Sequence, residues 1–345
     1  METDRTRYSR QILFKPIGET GQKRLSRARV AVVGLGALGT ALSHHMVRAG
    51  VGYIRLIDRD FVEPSNLQRQ MLFDEADAEQ GLPKAVAAQN KLAAINSRTQ
   101  FQVHVTDLAA DRAEELLTGV DLILDGTDNF AVRYLINDVS VKHGIPWIYG
   151  GAVSSRGMTF TIRPKLTPCL RCLFPEAPGP GTAETCDTAG VIGPVVQVVA
   201  AHQATEALKL LVGDVESLEP RLRHFELWDN RDTAFRVENR KRRDCPTCGE
   251  ARFDFLEEVN AGEAAVSLCG RDTVQISPAR RQSLDLNRLE KALSPLGRVE
   301  RNRFLLRAQV DEQHRLVLFP DGRVLVQGTS DPSMARSLVA RYIGG

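Results

Sequence analysis

Residues 29–39 read RVAVVGLGALG, a short β-branched run followed at once by a glycine-rich turn. The run is typical of a buried parallel strand, and the apolar segment from Gly36 to Ala49 predicts a helix after it. A G-x-G-x-x-G turn between strand and helix suits a nucleotide phosphate, because glycine lets the backbone approach it and the helix N-terminus supplies N–H donors. The candidate ligands in this turn are Gly34, Gly36, Ala37 and Gly39.

The next predicted strand, Tyr53 to Ile57, ends at Asp58, where an acidic side chain can hold ribose hydroxyls. A tight turn without a ligand is the alternative, but the strand–turn–helix context and Asp58 together favour a nucleotide. Strands and helices continue to alternate as far as a strand at 147–149, which predicts a parallel α/β sheet. Antiparallel strands are expected at 159–163 and within 223–237.

The length and composition of the chain indicate a globular protein of two domains. It has 345 residues, and its net charge of +2 gives no electrostatic basis for binding nucleic acid or a membrane. The polar N-terminus lacks a signal-peptide core, and no apolar run approaches the roughly 20 residues that span a bilayer. We therefore expect a cytoplasmic protein, in which the six cysteines are metal ligands or reactive thiols rather than disulfides.

A cluster of cations argues for a triphosphate rather than a dinucleotide. The polar loop 61–70 carries Arg69, and Lys84 lies in the first turn of a helix predicted from Pro83 to Ile95. Together with Arg10 they match the guanidinium and ammonium groups that bind phosphates. Each of them taken singly is more often a surface cation.

Asp128 and Asn129 follow the predicted strand 122–124, at the edge where parallel sheets bind ligands. The carboxylate suits Mg²⁺ bridging phosphate oxygens, and the amide suits a hydrogen bond to the nucleotide. A helix N-cap is the alternative use of both residues, and the two uses are compatible.

The cysteines form two C-x-x-C pairs, and four thiolates at this spacing predict a closed, structural Zn²⁺ site. The expected ligands are Cys169, Cys172, Cys245 and Cys248. Cys186 belongs to neither pair and is either a nucleophile or sulfur carrier or an inert thiol. Cys269 is interpreted as structural.

These motifs, taken in order, closely resemble the ThiF/MoeB/HesA adenylyltransferases, the bacterial relatives of ubiquitin-activating enzymes. The resemblance covers about residues 5–250. It rests on the segment RYSRQ at 7–11, the glycine turn, Asp58, the segment SNLQRQ at 65–70, Lys84, Asp128-Asn129, the four paired cysteines and Cys186.

The resemblance implies a homodimer with a Rossmann-like, doubly wound mixed sheet that has an antiparallel extension. It implies that Mg·ATP adenylates the terminal glycine carboxylate of a ubiquitin-like sulfur carrier, ThiS- or MoaD-like, for thiamine or molybdopterin synthesis. The carrier would end in Gly-Gly, and a cysteine desulfurase or rhodanese would donate the sulfur.

The resemblance also assigns roles to individual residues. Arg10 would reach the partner's site, the four paired cysteines would bind zinc, and Cys186 would take part in sulfur transfer. The expected catalytic groups are Arg10, Arg69, Lys84, Asp128 and Cys186. The implied nucleotide contacts are Ala37, Asp58, Ser65, Asn66, Leu67, Gln68, Arg69, Lys84, Asp128 and Asn129.

Three other interpretations remain open at this point. They are an adenylating dehydratase or peptide-modifying enzyme on the same scaffold, an NAD-dependent oxidoreductase, and an inactive binding module. Residues 1–250 are expected to form the adenylation domain, and residues 251–345 a small α+β domain of unknown role. The terminal Gly344-Gly345 is interpreted as a helix end rather than as a substrate tail.

Overall fold

The computed structural model describes residues 6–176, 184–257, 264–267, 272–278 and 283–344, with side chains everywhere in these ranges except at 186, 187 and 264–267. The chain divides into two compact units, Met1–Glu258 and Val259–Gly345. Among the described residues, no helix combines the length and the apolar character needed to cross a bilayer.

The first unit is built on an eight-stranded sheet. Its strands are β1 (Arg29–Val33), β2 (Tyr53–Asp58), β3 (Gln100–Val105), β4 (Leu122–Asp125), β5 (Trp147–Val153), β6 (Arg156–Ile162), β7 (Leu222–Glu226) and β8 (Arg231–Phe235). The order is β3-β2-β1-β4-β5-β6-β7-β8, with the first five strands parallel and β6 to β8 antiparallel. The predicted doubly wound sheet with an antiparallel extension is therefore confirmed.

Helices cover both faces of this sheet because β1 presents apolar side chains on both. Val30 and Val32 contribute to one hydrophobic core, and Ala31 and Val33 to the other. The helices of the unit are α1 (Ser9–Leu13), α2 (Gly18–Leu25), α3 (Ala37–Ala49), α4 (Glu75–Glu79), α5 (Lys84–Ile95), α6 (Ala110–Leu117), α7 (Phe130–His143), α8 (Leu170–Leu173), α9 (Cys186–Ala189), α10 (Gly193–Val212) and α11 (Asp254–Glu257). Residues of α3, α5 and α10 pack in the first core, and residues of α6 and α7 pack in the second.

The N-terminal arm before β1 is helical but interrupted. It forms two helices, α1 and α2, separated by a turn at residues 14–17. Pro16 explains the break, because proline disfavours the helical conformation of the residue before it, here Lys15.

The second unit is a six-stranded antiparallel sheet with two helices against one face. Its elements are β9 (Ala264–Ser267), β10 (Thr273–Ser277), α12 (Leu286–Leu293), β11 (Val299–Arg301), β12 (Leu306–Gln309), β13 (Arg315–Leu318), β14 (Val324–Gln327) and α13 (Pro332–Tyr342). The strand order is β11-β12-β13-β14-β10-β9, and Gly322 turns the chain between β13 and β14 with φ +92°. Gly344, with φ +87°, follows the end of α13 in the left-handed conformation that is common for glycine at a helix end, whereas Gly345 lies outside the described residues.

Candidate nucleotide site and thiol cluster

The candidate nucleotide site lies where β1, β2 and β4 end. These strands are parallel neighbours, and Val33 is in register with both Ile57 and Asp125. The chain leaves β1 for β2 on one side and returns to β4 on the other, so the sheet reverses its winding direction at this edge. Such a reversal opens a crevice at the carboxyl ends of the strands, which is where doubly wound sheets bind ligands.

Backbone packing shapes the glycine turn at the end of β1. A Cβ atom on Gly39 would lie 1.8 Å from the carbonyl oxygen of Gly34, and one on Gly126 would lie 2.5 Å from the same oxygen. The turn after β1 therefore rests directly on the turn after β4. Apart from its chain neighbours, the one described atom that a Cβ on Gly36 would meet within 4 Å is Nε2 of Gln70, at 3.9 Å, so the described residues leave space above the turn here.

Asp58 ties the glycine turn to the end of β2. Its Oδ2 accepts a hydrogen bond from the backbone N–H of Leu35 at 2.6 Å, and its Oδ1 accepts one from the N–H of Asp60 at 2.7 Å. Burial raises the pKa of this carboxyl group, which is 9% exposed. Each oxygen keeps a further lone pair, so the predicted contact with a ribose remains chemically open to it.

Lys84 starts α5 with a buried side chain. Its backbone N–H donates to the carbonyl of Asp60 at 2.8 Å, and its ammonium lies 3.5 Å from Oδ2 of Asp60. The side chain is only 4% exposed, and the ammonium acts electrostatically on Asp58. Asp60 and Asp58 link this ammonium to the N–H of Leu35 in the glycine turn. A positive charge at a helix N-terminus is suited to a phosphate.

The polar loop folds as a short 3-10 helix, Pro64–Asn66. Asn66 is fully buried, and its Oδ1 accepts the backbone N–H of Glu63 at 3.2 Å, so part of its hydrogen bonding serves the loop itself. Arg69 donates from Nη1 to the carbonyl of Ser65 at 3.0 Å in an exposed bond. Ser65 and Gln68 are exposed and Leu67 is half-buried.

Asp128 and Asn129 are both exposed on the loop between β4 and α7. Asn129 caps α7, since its Oδ1 accepts the backbone N–H of Ala131 at 2.8 Å, which confirms the N-cap alternative for that residue. The Asp128 carboxylate is an oxygen donor of the type that Mg²⁺ binds, and it lies at the sheet edge where a nucleotide would sit.

A buried ion pair beneath this loop has no counterpart in the sequence patterns. The guanidinium of Arg133 lies 3.0 Å from Oδ2 of Asp125, and it donates to the carbonyls of Thr127 at 2.6 Å and Gly150 at 2.8 Å. Asp125 is fully buried and Arg133 is 5% exposed. The pair joins the end of β4, the loop that carries Asp128, and strand β5. An aspartate and an arginine eight residues apart give no recognisable signal without the fold.

Arg10 is exposed on α1 and is not brought to the site of its own chain. Its neighbour Gln11 donates to the carbonyl of Ala49, the last residue of α3. The glycine turn is at the other end of α3, about 20 Å away for 13 residues. Cys186 begins α9, but its side chain is outside the described residues, as is the whole of Cys269.

The four paired cysteines come together as predicted. Their sulfur atoms all lie within 4.8 Å of one another, with Cys169–Cys172 at 3.9 Å, Cys169–Cys245 at 3.6 Å and Cys172–Cys248 at 3.4 Å. Tetrahedral zinc with Zn–S bonds of 2.3 Å requires sulfur atoms about 3.8 Å apart, so the cluster fits the ion. The four thiols titrate as one coupled group: the hydrogen bond from Cys169 lowers the pKa of Cys172, and the hydrogen bond from Cys172 raises the pKa of Cys169.

Helix α7 supports both halves of this cluster. Oδ1 of buried Asn137 accepts the backbone N–H of Leu170 at 2.8 Å, next to the first cysteine. Oδ1 of Asp138 accepts the hydroxyl of Thr247 at 3.0 Å, between the second pair of cysteines, and its Oδ2 accepts the N–H of Phe255 at 3.0 Å. Burial raises the pKa of Asp138 to about 6. These polar supports were not predicted.

Comparison with protein families gives a match to a family described as the ThiF family over residues 8–247. A sulfur carrier protein ThiS adenylyltransferase of Bacillus subtilis is 47% identical over 98% of this chain and 99% of its own length. A sulfur carrier protein adenylyltransferase of Thermus thermophilus is 39% identical over 71% of this chain and 90% of its own. Among solved structures, E. coli MccB with ATP aligns with a TM-score of 0.60 at 23% identity, covering 70% of this chain and 74% of that one, which shows the fold.

Proposed function

Because this chain belongs to the ThiF family, we propose that it is an adenylyltransferase that activates the C-terminal carboxylate of a ubiquitin-like sulfur carrier of the ThiS or MoaD type. The observation that carries the proposal is the buried ammonium of Lys84, linked through Asp60 and Asp58 to the glycine turn, in a chain that is 47% identical over 98% of its length to a ThiS adenylyltransferase. A nucleotide triphosphate offers charge for that ammonium and for Arg69.

The first step joins the carrier to AMP. A carboxylate oxygen of the carrier's terminal glycine attacks the α-phosphorus of ATP, and pyrophosphate leaves. The residues of this chain act by position and charge, with Lys84 and Arg69 neutralising the phosphates and Asp58 orienting the ribose. Mg²⁺ held by Asp128 would supply further charge neutralisation on the phosphate oxygens.

Further nucleotide contacts complete the proposed site. We assign backbone contacts with the phosphates to the glycine turn, at Gly34, Gly36, Ala37 and Gly39. The remaining assigned contacts are Ser65, Asn66, Leu67, Gln68 and Asn129. For Asn66 the accepting oxygen is already engaged, so its amide N–H groups are the available donors.

We assign Arg10 to the site of a partner subunit in a homodimer. Its exposure and its place at the far end of α3 support this, since within one chain it does not reach the glycine turn. An Arg10→Ala subunit mixed with a Lys84→Met subunit should recover activity, because each mixed dimer would contain one intact site. If the mixture stays as inactive as either variant alone, Arg10 acts within its own chain or not at all.

The second step replaces AMP with sulfur. The terminal sulfur of a persulfide, either on a desulfurase- or rhodanese-type donor or passed from that donor to Cys186, attacks the acyl carbon, and AMP leaves an acyl disulfide behind. A second thiol then attacks the sulfur of the persulfide-bearing cysteine, which releases the carrier thiocarboxylate and leaves a disulfide between the two cysteines. If the sulfur passes through Cys186, Cys186→Ser should adenylate the carrier normally and fail to form the thiocarboxylate. If Cys186→Ser forms the thiocarboxylate as well as the wild type does, Cys186 takes no part in sulfur transfer.

We assign zinc to the four-cysteine cluster as a structural ion. The support is the match between the sulfur–sulfur distances and tetrahedral Zn–S geometry, and the closed ligand set. Four reduced thiols held for a metal also favour a cytoplasmic location, where disulfides are rare.

ATP–pyrophosphate exchange tests the proposed activity. Exchange should appear only when a purified carrier ending in Gly-Gly is added, and the carrier that supports it names the pathway. Likeness to MccB at 23% identity shows only the fold, so an adenylating peptide-modifying enzyme is not favoured. If no Gly-Gly carrier supports exchange in protein that binds ATP and zinc, carrier adenylation is wrong.

A further inference from the structure

The buried ammonium of Lys84 has an ion-pair partner in Asp60, a residue that no sequence pattern indicated. The Lys84 side chain is 4% exposed, and burying an ammonium is costly unless an opposite charge lies beside it. Oδ2 of Asp60 supplies that charge at 3.5 Å. The Asp60 side chain is itself 27% exposed, so it lies at the boundary between the protein interior and the open site.

The backbone of Asp60 forms hydrogen bonds with both Asp58 and Lys84. Its N–H donates to Oδ1 of Asp58 at 2.7 Å, and its carbonyl accepts the N–H of Lys84 at 2.8 Å. Arg59 also lies near the Asp60 carboxylate, at 3.7 Å, but its closer pair is with Asp107 at 2.9 Å. Asp60 is therefore joined to Lys84 at both the main chain and the side chain.

We propose that Asp60 is a positioning residue that holds the ammonium of Lys84 beside the glycine turn, where the phosphates of the nucleotide bind. The inference rests on the proposed function for the identity of that nucleotide. Lysine is a point charge on a flexible four-carbon stem, so it needs a partner to fix its direction. Without Asp60 the ammonium would turn to Asp58, the other carboxylate near it, and both groups would be lost to the ligand.

A double-mutant cycle on ATP binding tests the proposal without any carrier protein. ATP dissociation constants are measured by calorimetry, with Mg²⁺ present, for the wild type, Asp60→Asn, Lys84→Met and the double variant. Asp60→Asn should weaken ATP binding about tenfold when Lys84 is present and less than about twofold when it is replaced by methionine. The reason is that the effects of two substitutions that break the same contact are not additive. Asp60→Glu, which keeps the charge, should recover most of the affinity.

The Asp74–Lys91 ion pair provides a matched control, because Lys91 lies on the same helix and also pairs with an aspartate from a preceding loop. Asp74→Asn should leave the ATP dissociation constant unchanged. The proposal is overturned if Asp60→Asn binds ATP like the wild type, or if its effect is equally large with and without Lys84. If no carrier supports exchange but the double-mutant cycle shows coupling between Asp60 and Lys84, carrier adenylation is wrong and the positioning role of Asp60 is retained.

Discussion

Replacing Arg133 with methionine should destabilise the first unit strongly. Methionine keeps an apolar stem of similar length but removes the guanidinium that lies 3.0 Å from Asp125. Asp125 is fully buried, so its charge would lose its cationic partner, and the carbonyls of Thr127 and Gly150 would lose a donor.

The expected loss is about 4 kcal/mol in the free energy of unfolding. Breaking a buried ion pair by removing one partner costs about 3–5 kcal/mol, because the remaining charge cannot return to water. The hydroxyl and backbone N–H of Thr127 still donate to Asp125 at 2.7 Å and 2.9 Å, which keeps the estimate away from the upper end. A loss of this size is a large part of the 5–15 kcal/mol typical of a domain.

Urea unfolding followed by tryptophan fluorescence measures this loss in the first unit alone. The chain has two tryptophans, Trp147 and Trp228, and both belong to that unit. Arg112→Met is the matched control, because Arg112 pairs with the exposed Glu115 within one helix and such pairs contribute less than about 1 kcal/mol. If Arg133→Met is no less stable than Arg112→Met, the buried pair is not a support of this unit.

Three other changes have definite expected outcomes. Gly39→Ala should abolish ATP binding measured by calorimetry, because its Cβ atom would lie 1.8 Å from the Gly34 carbonyl oxygen; unchanged affinity would contradict the geometry of the turn. Cys245→Ser should lower bound zinc, measured by mass spectrometry of the native protein, and decrease the melting temperature, since three thiolates hold the ion less tightly than four. The pKa of Asp138 is raised to about 6 in the folded protein, so the folded state binds this proton more tightly than the unfolded chain does. The resulting stabilisation is complete below about pH 4 and is lost as the pH rises through 6. The stability of the wild type relative to Asp138→Asn should therefore fall by about 3 kcal/mol across that interval in thermal melts of zinc-loaded protein, and a constant difference would mean that Asp138 does not titrate there.

Local sequence was sufficient for features that depend on short-range geometry. The glycine turn followed from a fixed spacing after a strand, and the four-cysteine cluster followed from two C-x-x-C pairs, whose sulfur atoms lie within 4.8 Å of one another in the fold. The helices 286–293 and 332–342 also have local signals, because each begins after an aspartate N-cap and carries an apolar stripe.

Helix α7 shows why periodicity alone fails in the interior. Its residues from Arg133 to Ser140 are all buried, charged and polar ones included. A helix that packs on all sides has no contrast between an apolar and a polar face, so the 3.6-residue repeat that identifies surface helices is absent. For this segment the sequence therefore indicated a helix only through the N-cap alternative at Asp128 and Asn129, without bounds.

The sequence by itself determined the classes of chemistry, through the glycine turn, the cations, Asp128 and the paired cysteines. Only the tertiary structure decided which groups support them: Asp60 for Lys84, Arg133 for the loop of Asp128, and Asn137 and Asp138 for the thiol cluster. Asp138 and Thr247 are 109 residues apart in the chain. A buried polar side chain requires a partner but does not specify where along the chain that partner lies, so these pairs exist only once the sheet has brought its strands and helices together.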